Sequence, residues 1–329
     1  MINAIYFNKQ AVKTDLKEID LPRILNDKEG FLWMDVNNID DDDEAMALLT
    51  KEFKFHQLSL EDCIFPQHHS KFEMFENYIF VASHGIKTYT KNTYLNMEFE
   101  DVVFELDVFI GKNYVVTVHT EDVPQLRTVF EKAKLKPQMY CNSFEHLLYD
   151  IFGIITGSFN PLLSEIESRV DHIQDMMVEG IENLDVKGIF YVKRTLLELR
   201  RIIEPEIYVF SSLTREAQNL LTPRSSAYFR DIFFYMNRLD RMTELYSQIM
   251  TSSLEVYYSS ISTKLNKSIK YLTIMATIFM PPAIITSYYG MNVSFPEQQL
   301  GAWALPLVWV FMVVVAGGII WYLKRSKVL

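Results

Sequence analysis

The chain has 329 residues, of which 49% are apolar, and it carries a formal charge of −10 and two cysteines. That length leaves room for about two domains, and the acidic balance speaks against nucleic acid as a partner. Cys63 and Cys141 lack metal-ligand spacing and suit a reducing cytosol, and no phosphate-cradling G-x-x-x-x-G-K-[ST] loop or other nucleotide motif is present, so neither a nucleotide-driven pump nor an enzyme is expected.

The first residues, "MINAIYFNKQ", lack a basic start followed by an apolar run, so neither a secretory signal nor a transit peptide is expected. The aromatic and β-branched runs "NAIYFN" and "GFLWMDV" predict strands. "DDDDEAMALLTKEF" predicts a helix whose acids, Asp40 to Glu44, complement the dipole of its first turn. "NYIFVASHGIK", "DVVFELDVFIG" and "NYVVTVHT" predict three more strands, the last two joined by a Gly-Lys-Asn hairpin turn. His56 reads as structural, and the adjacent His68 and His69 as surface residues. Residues 1–142 therefore predict a cytosolic α/β domain.

From about Ser143 Gly and Pro become sparse and apolar residues recur at three- and four-residue spacing. Helices are expected at about 143–179, 183–221 and 224–291, broken at "EGIENLD" and at "LTPRSS", where Pro223 suits a first turn. The acids Glu165, Glu167, Asp171, Asp175 and Glu179 read as a solvated face able to attract cations. The domain plan is a helical hairpin over 143–222, a stalk and pore helix over 223–291 that includes a first span at about 271–291, an external loop over 292–301, a second span over 302–323 and a basic tail over 324–329.

Residues 271–296 contain no Asp, Glu, Lys or Arg, and after Glu297 residues 298–323 are again free of charge. A membrane-spanning helix needs roughly 20 apolar residues, so the chain is expected to end in a two-helix transmembrane hairpin. Lys264, Lys267 and Lys270 flank the first span, and Lys324, Arg325 and Lys327 the second. The positive-inside rule then places both termini in the cytoplasm.

Counting back from Ser287 in helical strides gives Ala283, Met280, Ala276, Leu272, Ile269 and Leu265, then Ser262, Tyr258 and Glu255. The stripe is polar at its loop end, apolar in the middle and acidic at its far end. A helix–helix seam is the plain reading of such spacing. Asn292 favours another. One hairpin cannot enclose water, so a pore needs several copies, and several Asn292 amides would then ring its mouth. An amide ring suits Mg²⁺, which sheds its water reluctantly. Leu272, Ala276 and Met280 form a belt that gates by dewetting, and Gly290 lets the backbone leave the helix and allows close approach. Glu297 would concentrate cations at the mouth.

"YGMN" at 289–292, soon after "KYLTIMATIFMPP" at 270–282, resembles the signature of the CorA family of magnesium channels. "FHQLSLEDC" (55–63), "SKFEMFENYIF" (70–80) and "YFRD" (228–231) are similar to segments at corresponding places in that family. The resemblance implies a funnel-shaped homopentamer in the plasma membrane that takes up hydrated Mg²⁺, with Co²⁺ and Ni²⁺ as alternative ions. It implies that Gly290, Met291 and Asn292 form the selectivity filter. It also implies that cytosolic Mg²⁺, bound between protomers at Asp231, holds the channel closed. Thr90 stands where the partner acid is expected, which leaves Glu98, Glu100 or Asp101 to substitute. After the tripeptide the family often carries Met-Pro-Glu-Leu, whereas this chain has "VSFPEQQL".

The membrane potential suffices to drive entry, since a divalent ion gains about 4.6 kcal/mol over 100 mV at ~2.3 per charge. Two rival readings are a Zn²⁺ or other divalent carrier of the same family, and a sensor whose hairpin only tethers it.

Overall fold

The computed structural model describes residues 2–8, 11–14, 21–27, 29–37, 39, 43–65, 69–87, 99–141, 144–179, 184–216, 225–291 and 303–326. The chain divides into two compact units, Met1–Ser253 and Leu254–Leu329, and the division falls inside its longest helix.

The first unit is built on a seven-stranded sheet of order β2-β1-β3-β7-β6-β5-β4. Its strands are β1 (Ile2–Asn8), β2 (Ala11–Lys13), β3 (Gly30–Asn37), β4 (Lys71–Met74), β5 (Tyr78–Ile86), β6 (Val103–Gly111) and β7 (Tyr114–His119). Only β3 and β7 pair in parallel, so the sheet is mixed. All nine residues of β5 are buried. A strand covered on both faces has no solvent side, and its sequence, YIFVASHGI, shows no clean alternation.

Two sets of helices cover the sheet. The short helices α1 (Leu21–Leu25), α2 (Asp43–Lys51) and α3 (Gln57–Ile64) supply Leu21, Leu49 and Leu60 to one core cluster, where they join Leu32, Phe80 and Phe109 from the strands. Phe55 stacks on Phe109 in that core at 4.0 Å between ring centroids. After the one-turn α4 (Phe99–Val102) come α5 (Pro124–Leu135), α6 (Gln138–Cys141), α7 (Phe144–Glu179) and α8 (Val186–Glu216). Helix α7 lies on β5, and α8 on β4 and β5. Gly85 explains the closeness of α7: a Cβ there would come within 2.9 Å of the Ser158 Oγ. That same oxygen accepts the Ile86 amide at 2.8 Å.

Helix α9 runs unbroken over Ser225–Tyr289, 65 residues, and α10 over Ala304–Arg325. The anticipated strands and long helices are present, with two differences of detail. "DVVFELDVFIG" begins inside α4, and the strand starts only at Val103. Helix α2 starts at Asp43, and Asp40–Asp42 lie outside the described residues, as do Thr90 and His68.

Candidate ion pathway and regulatory carboxylate

In the second unit, α9 and α10 each hold a stretch apolar and long enough to cross a membrane, and almost none of either stretch is buried. Aromatic side chains mark both limits. At one end stand Tyr271 on α9 with Trp321 and Tyr322 on α10; at the other stand Tyr288, Tyr289 and Trp303. Such residues prefer the headgroup level of a bilayer. From Tyr271 to Tyr288 the rise is about 26 Å at 1.5 Å per residue, close to the thickness of a hydrocarbon core.

Between Tyr271 and Tyr288 on α9, and along α10, what little burial there is falls in two stripes. On α9 they are Ile274 (8% exposed), with Ile278, Pro281, Pro282 and Ile285 half-buried. On α10 they are Met312 (7% exposed), with Val308, Val315, Ala316, Ile319 and Leu323 half-buried. Both sets recur at three and four residues, so each is one face of its helix. In a unit made of two helices, these are the faces that cover one another.

The predicted stripe lies on the other side. At 100° per residue its mean direction is roughly 170° from that of the Ile274 stripe. Glu255, Leu265, Ile269, Leu272, Ala276, Met280, Ala283 and Ser287 are all exposed in the single chain. Its polar end is unspent. Thr273, Thr277 and Thr286, off the stripe, each donate to a carbonyl one turn back. Ser287 has no hydrogen-bond partner among the described residues.

Gly290 follows α9 directly. Its amide still donates to the Thr286 carbonyl at 2.9 Å, and a Cβ would meet that oxygen at 3.2 Å. Its φ is not left-handed. The helix ends at Tyr289 and Gly290 is the first residue outside it, leaving through a turn whose amide still bonds one turn back. Met291 is exposed. Asn292, Glu297 and Glu98 lie outside the described residues, and Glu100 is described only as backbone within α4.

Asp231 sits in the first unit, exposed on α9. Its Oδ2 accepts the Tyr149 hydroxyl from α7 at 2.8 Å, a bond that raises the phenol's pKa, with burial adding to it. The pair borders a groove of about 910 Å³ whose wall also includes Lys132, Asp150, Asn160 and Arg238. Asp150 is already engaged, by Lys132 at 2.6 Å and by the Tyr140 hydroxyl at 2.5 Å. Asp101 is exposed at the C-terminal part of α4. Among the described residues no group of three His, Cys, Asp or Glu is arranged to hold a metal ion.

Sequence reasoning passed over a buried polar knot in the same unit. Glu206 on α8 is fully buried. It accepts Ser70 Oγ at 2.6 Å, Ser83 Oγ at 2.7 Å and the His84 amide at 2.6 Å. The His84 ring lies between Ser70, at 3.0 Å, and Glu105, at 3.1 Å. A signal existed: Leu199, Ile203, Glu206, Phe210 and Leu213 share one buried face, and an acid on such a face has to find donors.

The sequence pattern of the family described as CorA-like Mg2+ transporter protein matches residues 28–325. This chain is a member of the CorA-like family. Cobalt/magnesium transport protein CorA of Thermotoga maritima is 30% identical over 95% of this chain and 88% of that protein. Zinc transport protein ZntB of Cronobacter sakazakii is 25% identical over 55% of each chain. The complete structure of the CorA magnesium transporter from Methanocaldococcus jannaschii superposes with a TM-score of 0.75 at 22% identity, covering 98% of both chains. The CorA-family chain is thus a transporter of divalent metal ions rather than an enzyme, a membrane protein with two C-terminal spans.

Proposed function

We propose that the protein is a homopentameric channel for Mg²⁺ uptake, driven by the membrane potential, with both termini cytoplasmic and the plasma membrane as its site. Five copies of the Leu272–Ser287 stripe line the pore, Asn292 amides select the ion at the outer mouth, and Glu297 draws cations toward it. Co²⁺ and Ni²⁺ are the alternative ions. One observation carries this reading: the stripe lies opposite the face that α9 shares with α10 and is left uncovered by its own chain. Lipid would be a poor cover for Ser287 and its unpartnered hydroxyl, whereas water around an axis satisfies it. In proteoliposomes with an inside-negative potential, Mg²⁺ uptake should exceed Zn²⁺ uptake and collapse with the potential. Faster Zn²⁺ uptake would favour the zinc reading, for which the similarity to a zinc transport protein speaks, and no flux of any divalent ion would leave only a tether.

Internal Mg²⁺ closes the channel by binding at Asp231, with Glu98, Glu100 or Asp101 as the carboxylate from a neighbouring copy. The ion then competes with the Tyr149 hydroxyl for Asp231. Asp231→Ala should raise the internal Mg²⁺ needed for half-inhibition. Tyr149→Phe should lower it, by about threefold, since a solvent-exposed bond to a charge contributes only the lower part of the usual range. Flux measured against graded internal Mg²⁺ decides both. An unchanged midpoint in Asp231→Ala places the sensor elsewhere.

A further inference from the structure

The cations of this chain are distributed unevenly. The second unit holds six, Lys264, Lys267, Lys270, Lys324, Arg325 and Lys327, against only two acids, Glu255 and Glu297, although the chain as a whole is acidic. Topology signals need charge but not a particular face. On α9 a face is defined as well. Lys267 and Lys270 stand two turns and one turn before Ile274, on the side of α9 that turns toward α10. Lys324 and Arg325 end α10 just past Trp321 on the side away from its Met312 face, and the Arg325 guanidinium lies over the exposed Trp321 ring at 5.3 Å. All four cations lie within about 6 Å, along their helix axes, of the aromatic level at Tyr271 and Trp321. All four are exposed, and among the described residues none has an ion-pair partner.

We infer that the basic collar at this end of the hairpin binds the phosphate headgroups of anionic phospholipids. The depth fits, because headgroup phosphates lie just beyond the aromatic level. The chemistry fits, because an arginine fork and lysine charges match a phosphate, and clusters of four or more Lys/Arg at the membrane surface attract anionic headgroups. The α9 cations of the collar lie on the side of that helix away from the stripe, so a bound headgroup stays out of the proposed ion path.

The test uses the full-length protein in phosphatidylcholine vesicles with spin-labelled phosphatidylglycerol or spin-labelled phosphatidylcholine as probe, and reads the motionally restricted fraction by electron paramagnetic resonance. The protein should favour phosphatidylglycerol by about fivefold, the effect of one cation near the surface, and high salt should weaken the preference. K267Q/K270Q/K324Q/R325Q should bring it near unity, and K267R/K270R/K324R should retain it. K267Q/K270Q alone, which keeps the basic end of α10, should lose part of the preference if the fourfold variant fails to insert. Equal association of the two lipids with the unaltered protein overturns the assignment. So does a preference unchanged in whichever glutamine variant inserts, and so does its abolition by millimolar inorganic phosphate, which would identify a soluble anion as the ligand.

Discussion

Asn292→Ala should reduce potential-driven Mg²⁺ uptake by about a hundredfold or more while leaving assembly in the membrane intact. In the proposed pentamer each amide oxygen accepts a hydrogen bond from a water of the entering ion, and removing a ring of five removes five such acceptors at once. At ~1 kcal/mol for each neutral hydrogen bond the loss sums to roughly 5 kcal/mol. Water that refills the mouth returns part of that, and what remains corresponds to about two decades at ~1.4 kcal/mol per tenfold. Mg²⁺ is the ion to watch, because it crosses with most of its shell in place. The residue before it fits: Met291, exposed just past the end of α9, has no oxygen in its side chain to share the task. Flux in proteoliposomes, with gel filtration to check the oligomer, measures both halves of the expectation. Undiminished Mg²⁺ uptake would remove the selectivity ring from the proposal.

The two spans were legible because a helix facing lipid declares itself residue by residue. Absence of charge over 271–296 and 298–323 needs no tertiary partner to interpret. The Leu272–Ser287 stripe was legible as a period, but spacing alone could not tell a pore from a packed seam. The burial of Ile274 and Met312 puts the seam within the chain on the opposite face, which is the arrangement the proposed pore lining asks for. Strands β2 and β4, three and four residues long, escaped because so few side chains carry no measurable alternation and only pairing defines them. Tyr149 escaped for a different reason. One phenol on an amphipathic helix is unremarked until Asp231, distant in sequence, is brought to 2.8 Å.

Glu206→Leu should lower the unfolding temperature of the first unit by about 10 °C, whereas Glu206→Gln should leave it nearly unchanged at neutral pH. The leucine fits an apolar helix face but leaves the Ser70 and Ser83 hydroxyls and the His84 amide buried without their acceptor. Each orphaned donor costs about 1–3 kcal/mol, and relief of the buried acid offsets part, for a net loss of roughly 3 kcal/mol. At 2–4 °C per kcal/mol for a domain of this size, that is about 10 °C. Glutamine keeps one oxygen for Ser70 and the amide, and its nitrogen can donate to a reoriented Ser83. The pH response separates the two effects. Burial raises the pKa of Glu206 above its ordinary value, although its donors and His84 pull it back. A folded pKa above the unfolded one means that this group's contribution to stability is complete below the unfolded value and declines as pH rises through the folded one. Glutamine has no proton to lose, so the difference between Glu206→Gln and the native protein should shift in the variant's favour with rising pH. Circular dichroism melts across that range measure this. At a single pH the buried Cys63 is an independent reporter: burial holds its thiol well above the ordinary range, so it stays unreactive toward a fluorogenic maleimide until the core opens. Equal melting of the leucine variant and the native protein would mean that the three donors find other acceptors, and that Glu206 does not bolt α8 to the sheet.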